Sequence, residues 1–291
     1  MRKFTILMIM VLLCLPAWAQ NKPSENSKAS KRFFVGLSYS YMNIDSKLTD
    51  LSLHSIWNGQ DLGSQDLDQE EISEINSYVT RNNQLNSVAF DFGMKILDKP
   101  GIKWKVEGAL MVGLAKFCSK VENTTTGTNE YSFKSDFTKP EFGVGFTVGY
   151  QLSPHWGFSL RPLFASTFGK ITNIEDQINL VPANVTQSGE DKFYSFYERV
   201  GLTADFTAGP VTISAGPGFY WFNSKHKYTL TRINNLNGEI YMDEITTWTK
   251  PRNFFDGNIN ITWRIIEPLT FYAMAGIGND LIINSGIHFN F

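Results

Sequence analysis

Residues 102–114 read Ile-Lys-Trp-Lys-Val-Glu-Gly-Ala-Leu-Met-Val-Gly-Leu. Ile102, Trp104, Val106, Leu110, Val112 and Leu114 share one phase with Gly108, and Lys103, Lys105, Glu107, Ala109, Met111 and Gly113 share the other. Successive side chains of an extended strand point to opposite faces, so this stretch predicts a strand with one apolar face and one small or charged face.

The same period of two continues on both sides. Upstream, beyond the turn formers Asp98, Lys99, Pro100 and Gly101, Val88, Phe90, Phe92, Met94 and Ile96 alternate with Ala89, Asp91, Gly93 and Lys95. Further back, Phe33, Val35, Leu37, Tyr39 and Tyr41 repeat the pattern. Downstream come Phe142 to Tyr150, Trp156 to Leu160, Val200 to Phe206, Val211 to Trp221, Phe255 to Ile265, Leu269 to Ile277 and Leu281 to Phe291. Ten strands are expected. Pro162 and Pro217 fall inside two of them, where a missing ladder donor predicts a bulge or a strand end.

The connections alternate in length. Ser153-Pro154-His155, Gly209-Pro210 and Glu267-Pro268 are tight, like the turn at 98–101, whereas 43–84, 116–137, 168–192 and 223–252 are long and Gly278 to Asp280 is short. Membrane β-barrels of the bacterial outer membrane have an even strand count, tight periplasmic turns and long outer loops. The fold expected is therefore all-β: a transmembrane antiparallel up-and-down β-barrel of about ten strands, over 32–291. Phe33, Trp104, Tyr150, Trp156, Phe206, Trp263, Phe271 and Phe291 would ring its periplasmic end as an aromatic girdle. A soluble barrel would need a dry interior, yet glycines and charges occupy the face that would have to supply it.

This arrangement resembles the small outer-membrane β-barrel proteins of Gram-negative bacteria, the class of small porins and OmpA-like barrel domains. The last strand ends in Phe289 and Phe291, which looks like the assembly signal of that class. The resemblance implies outer-membrane lipid and the barrel-assembly machinery as partners.

Composition agrees. Charged residues make up 19% of the 291, and 26 Lys plus Arg against 28 Asp plus Glu leave no basic excess for nucleic acid. No apolar run after the first twenty residues is long enough for a spanning helix. At the start, Arg2 and Lys3, the apolar run Phe4 to Leu15 and Ala17-Trp18-Ala19 form a signal peptide (1–19) expected to be cleaved after Ala19. A polar leader, 20–31, follows. The mature chain would keep only Cys118, so no intrachain disulfide is expected.

The inward face carries Asp91, Lys95, Lys105, Glu107, Glu141, Arg161, Arg199, Asp205, Asp256 and Arg264 as lumen charges, five of each sign. They line either a polar channel or a salt-bridged closed barrel, and at ten strands a closed or very narrow lumen is expected. In the first long loop Leu67, Glu71, Ile72, Ile75 and Val79 predict a short amphipathic helix, with Asp66 and Gln69 as its capping pair. Its acids do not match an EF-hand: the sixth position from Asp66 is Glu71, not Gly. Trp57, Tyr78, Tyr131, Tyr228, Tyr241 and Trp248 stand ready either for a protein or glycan partner or for packing on one another. The stretch 227–248 is expected to extend as a hairpin.

Ten-stranded outer-membrane proteases, the omptins, need paired acids and a His–Asp pair at the outer strand ends. His226 lies there with no acid two residues away, and His54, His155 and His288 have no nucleophile partner in the sequence. No catalytic, metal or cofactor site is expected. The function expected is a non-enzymatic, porin-like barrel with at most a narrow pore and recognition-capable outer loops. A structural or accessory barrel working through a partner is the alternative; an omptin-like hydrolase ranks below both.

Overall fold

The computed structural model describes residues 32–97, 101–125, 129–134, 138–171 and 184–291. The segments 1–19 and 20–31 lie outside the described residues, as do Asp98, Lys99 and Pro100. The elements are β1 (Phe33–Trp57), β2 (Gln60–Asp66), α1 (Gln69–Tyr78), β3 (Val79–Leu97), β4 (Trp104–Asn123), β5 (Asn129–Lys134) and β6 (Lys139–Gln151). There follow β7 (Trp156–Ile171), β8 (Val185–Ala208), β9 (Val211–Asn234), β10 (Ile240–Pro251), β11 (Phe255–Ile266), β12 (Leu269–Ile277) and β13 (Leu281–Asn290).

Ten strands close a ring: β1, β3, β4, β6, β7, β8, β9, β11, β12 and β13 each pair antiparallel with the next, and β13 pairs with β1. Closure leaves no sheet edge in the ring, so every ring strand has two backbone partners. At one end, here the turn end, lie the short connections β6–β7, β8–β9 and β11–β12 and both ends of the ring. Phe33 N donates to Phe291 O at 3.1 Å and Phe291 N donates to Phe33 O at 2.9 Å.

The alternation seen in the sequence sorts side chains as a membrane barrel requires. On β3, Phe90 is 61% exposed and its neighbour Asp91 is 2% exposed, so the apolar phase points outward. Leu37, Leu114, Phe158, Leu202 and Ile259 on other ring strands are exposed likewise. A continuous outer band of large apolar side chains would be costly in water and is stable against hydrocarbon. At the turn end the expected aromatics meet in pairs across neighbouring strands: Trp104 with Tyr150 at 4.8 Å, Trp156 with Phe206 at 4.9 Å, and Phe33 with Phe291 at 6.2 Å between ring centroids. Trp263 and Phe271 are direct cross-strand partners.

Four expectations need correction. The first concerns the long loops, most of whose length is strand. β1 runs on to Trp57, β4 to Asn123 and β9 to Asn234, and β8 begins at Val185, so the sheet projects well beyond the ring. At this extended end β10 pairs with β9 on one side and β1 on the other, above the turn that joins β12 to β13. The expected hairpin over 227–248 is thus β9–β10. The strands β2 and β5 each add to one ring strand.

The second concerns the prolines. Neither is a bulge. β7 passes through Pro162 and β9 through Pro217 with the same register before and after. A strand residue donates its N–H to one neighbour only, so a proline interrupts one ladder and spares the other. Pro162 keeps its pairing with Val200 on β8, and Pro217 keeps its pairing with Gly257 on β11.

The third concerns the helix cap. The helix forms, but its N-cap is Asp68, whose Oδ1 accepts from Glu70 N and Glu71 N at 2.9 Å each. Glu71 closes the capping box by accepting from Asp68 N at 2.9 Å. Asp66 instead ends β2.

The fourth concerns the interior, which is not polar throughout. Toward the extended end Met42, Ile44, Leu85, Phe117, Phe193, Tyr197, Tyr220, Phe222 and Ile282 form one buried cluster. They come from β1, β3, β4, β8, β9 and β13, so they reach inward from around the ring and meet in the lumen. The phenyl rings stack, Phe117 lying 5.0 Å from Phe193 and 6.4 Å from Phe222 between centroids.

Candidate functional site

Four features occupy the inside of the barrel, one above another. At the turn end is an aqueous vestibule of about 630 Å³. Asp91, Lys95, Lys105, Glu107, Arg161, Arg199 and Arg264 all line it. A second lobe of about 350 Å³ shares Lys95, Lys105, Glu107 and Arg161 with it and adds Asp205. Period-two strands deliver these side chains inward because each follows the outward apolar phase by one residue.

The middle level holds the buried charges. Arg199 on β8 meets Asp256 on β11, with Nη2 3.0 Å from Oδ2 and 3.1 Å from Oδ1. Arg199 Nη1 also lies 3.1 Å from Met274 Sδ. Methyl groups on Gly218 or Gly276 would collide with the Asp256 carboxylate, so these two glycines make the room it occupies. Asp91 accepts from Ser38 Oγ at 2.9 Å and Tyr272 OH at 3.1 Å, and lies 3.2 Å from His288 Nε2. Arg161 Nη2 donates to Ser214 Oγ at 3.0 Å and stands 3.6 Å from Asp205 Oδ1. Asp205 accepts in addition from Thr203 Oγ1 at 2.9 Å and from Ser159 Oγ. Glu141, 1% exposed, faces the interior beside Ser87 and Asp91. Buried ions are tolerated where partners replace water, and around Asp91, Arg161 and Asp205 serine, threonine and tyrosine hydroxyls supplement the ion pairs.

Above them is the apolar cluster, and above that a hydrogen-bonded string that sequence spacing missed. His226 on β9 lies with Nδ1 2.9 Å from Asp191 Oδ2 on β8 and Nε2 3.2 Å from Ser224 Oγ. The acid arrives from the neighbouring strand, not from two residues along, so only the β8–β9 register brings it close. Asp191 and Ser224 are fully buried, and Ser224 Oγ is also 2.6 Å from Thr249 Oγ1. A nucleophilic serine must reach a substrate carbonyl; this one is enclosed.

The tip of the extended end carries the remaining polar chemistry. His54 Nε2 is 2.9 Å from Asp61 Oδ1, which also accepts from Gly63 N at 2.7 Å. That backbone bond first, and the imidazole second, hold the Asp61 carboxyl below its ordinary range. Glu190 is lowered by Lys170, and secondly by Lys192. Trp57 stacks with Tyr241 at 6.2 Å, and Lys225 Nζ lies 4.7 Å from the Trp248 ring centroid. Of the aromatics expected on loops, these, Tyr131 and Tyr228 sit on strands, and Tyr78 ends α1. Among the described residues no group of His, Cys, Asp and Glu is arranged to hold a metal ion.

Ring closure, the apolar exterior and the aromatic pairs define a ten-strand transmembrane antiparallel barrel. No protein-family model matches the chain, and no curated protein matches it. Among solved structures it is similar to the outer membrane protease OmpT from Escherichia coli, at 8% identity, covering 91% of this chain and 98% of that one, with TM-score 0.42. It is similar to the translocator domain of the autotransporter NalP from Neisseria meningitidis, at 6% identity, 99% and 96% coverage and TM-score 0.40. The outer membrane protein OprG from Pseudomonas aeruginosa is a third, at 9% identity, 90% and 97% coverage and TM-score 0.36.

Proposed function

We propose that this chain is a non-enzymatic outer-membrane barrel, exported by a cleaved signal peptide, whose lumen is closed and whose projecting strands act in recognition at the cell surface. The turn end faces the periplasm in this reading. The observation that carries it is the apolar cluster inside the barrel. Side chains from strands on all sides converge there, and Ile44, Phe117 and Tyr220 have no measurable exposure. A hydrated pore cannot pass through a dry contact of this kind. The enclosure of Ser224 supports the absence of hydrolytic chemistry. Single-channel recording of the refolded protein in a planar bilayer tests the reading: a silent bilayer is expected, and stepwise openings refute it.

A further inference from the structure

We propose that the vestibule at the turn end is a binding site for a small phosphoryl-bearing anion. Charge balance is the first argument. Arg199 is matched by Asp256 and Arg161 by Asp205, whereas Lys95, Lys105 and Arg264 form no salt bridge among the described residues. These three cations share the vestibule with two acids, Glu107, which is the cross-strand partner of Lys95, and Asp91, which Ser38, Tyr272 and His288 already engage. A cleft lined with an excess of one sign and walled by low-dielectric material concentrates ions of the opposite sign.

Placement is the second. Lys105 is on β4 and Arg264 on β11, five strands apart in the ring of ten, so they face each other across the cavity. Cations arriving from opposite walls suit an anion whose oxygens point in several directions. A phosphoryl group presents three strong acceptors, and a lone carboxylate only two, close together. Threonines of the same lining, Thr147, Thr212 and Thr262, add neutral hydroxyls. The third argument is space, since about 630 Å³ lies within the range of small-ligand sites. The apolar cluster closes the inner end, so the vestibule holds a ligand and does not conduct it. Binding does not depend on the topology given above; only the compartment that supplies the anion does.

The test is calorimetric titration of the full chain, refolded in a nonionic detergent at low salt, with inorganic pyrophosphate. Saturable binding is expected, weakened at least tenfold by Lys105→Gln with Arg264→Gln and unchanged by Lys192→Gln at the opposite end. The heat-dependent gel shift of each variant verifies folding. No saturable binding, or binding insensitive to the double substitution, overturns the proposal. Repeating the titration in phosphatidylglycerol nanodiscs separates the sources. Weaker apparent affinity there assigns the site to a lipid headgroup, and unchanged affinity assigns it to a soluble phosphate.

Discussion

Arg199 and Asp256 join β8 to β11 across the inside of the barrel, with Arg199 Nη2 3.0 Å from Asp256 Oδ2 and the two side chains 5% and 1% exposed. They are not neighbours in the sheet: β9 lies between their strands. The pair therefore ties the barrel across its own curvature, and Gly218 and Gly276 leave the gap through which it does so.

Removing one member strands the other as a buried ion. Arg199→Met is expected to lower the unfolding free energy by about 3–5 kcal/mol, the range for breaking a buried pair. Adding Asp256→Asn to the same chain recovers part of the loss, because an amide leaves no charge behind. Urea unfolding followed by tryptophan fluorescence measures both. A loss below about 1 kcal/mol would mean that the pair is hydrated like a surface bridge.

The apolar cluster makes a second prediction. Phe117→Ala removes a fully buried ring from a stack with Phe193 and Phe222, at an expected cost of about 3–5 kcal/mol. Replacing Phe117, Phe193 and Phe222 together by serine should convert a silent bilayer into one with stepwise conductance. A triple variant that folds and stays silent would place the barrier elsewhere, at the level of Arg199 and Asp256.

The ring strands were legible because each has hydrocarbon on one side and a small or charged lining on the other, a contrast that alternates residue by residue. Beyond the ring that contrast fades. In β1 the stretch Ser46 to Trp57 alternates Leu48, Asp50, Ser52 and His54 with Lys47, Thr49, Leu51 and Leu53, polar on both faces, and so reads as loop. The lumen charges were legible as a list, but their pairing was not, since Arg199 and Asp256 are 57 residues apart and meet only through barrel closure. The apolar cluster did have a signal: carrying the inward phase of β4 past Gly113 reaches Ala115 and Phe117, and that of β9 reaches Tyr220 and Phe222. The Asp191–His226 contact had none, because register between strands is not written in either strand alone.

Topology follows from the two ends of the barrel. A membrane-impermeant maleimide added to intact cells should label cysteine at Asn235, in the β9–β10 turn, and at Gly189, on the extension of β8, but not at Glu267 in the tight β11–β12 turn. With the native Cys118 replaced by serine, each labelled site reports one position. Labelling at Glu267 from outside would invert the barrel.

The outer tip supplies a pH prediction. Asp61 accepts from Gly63 N at 2.7 Å and from His54 Nε2 at 2.9 Å, and its carboxyl is lowered mainly by the first of these bonds. A carboxyl lowered in the folded state contributes order that is present above its ordinary value and lost as pH falls through the lowered one. The β1–β2 tip should therefore stay ordered through neutral and mildly acid conditions and loosen only below the ordinary carboxylate range, about pH 4. The amide resonance of Gly63, followed by NMR as pH is lowered, reads this directly. Asp61→Asn should bring the Gly63 amide close to its low-pH position at neutral pH while leaving the Arg199–Asp256 region unchanged. If Gly63 moves instead with a midpoint near or above the ordinary carboxylate value, the carboxyl does not hold the turn, and the bond from Gly63 is not what orders the tip.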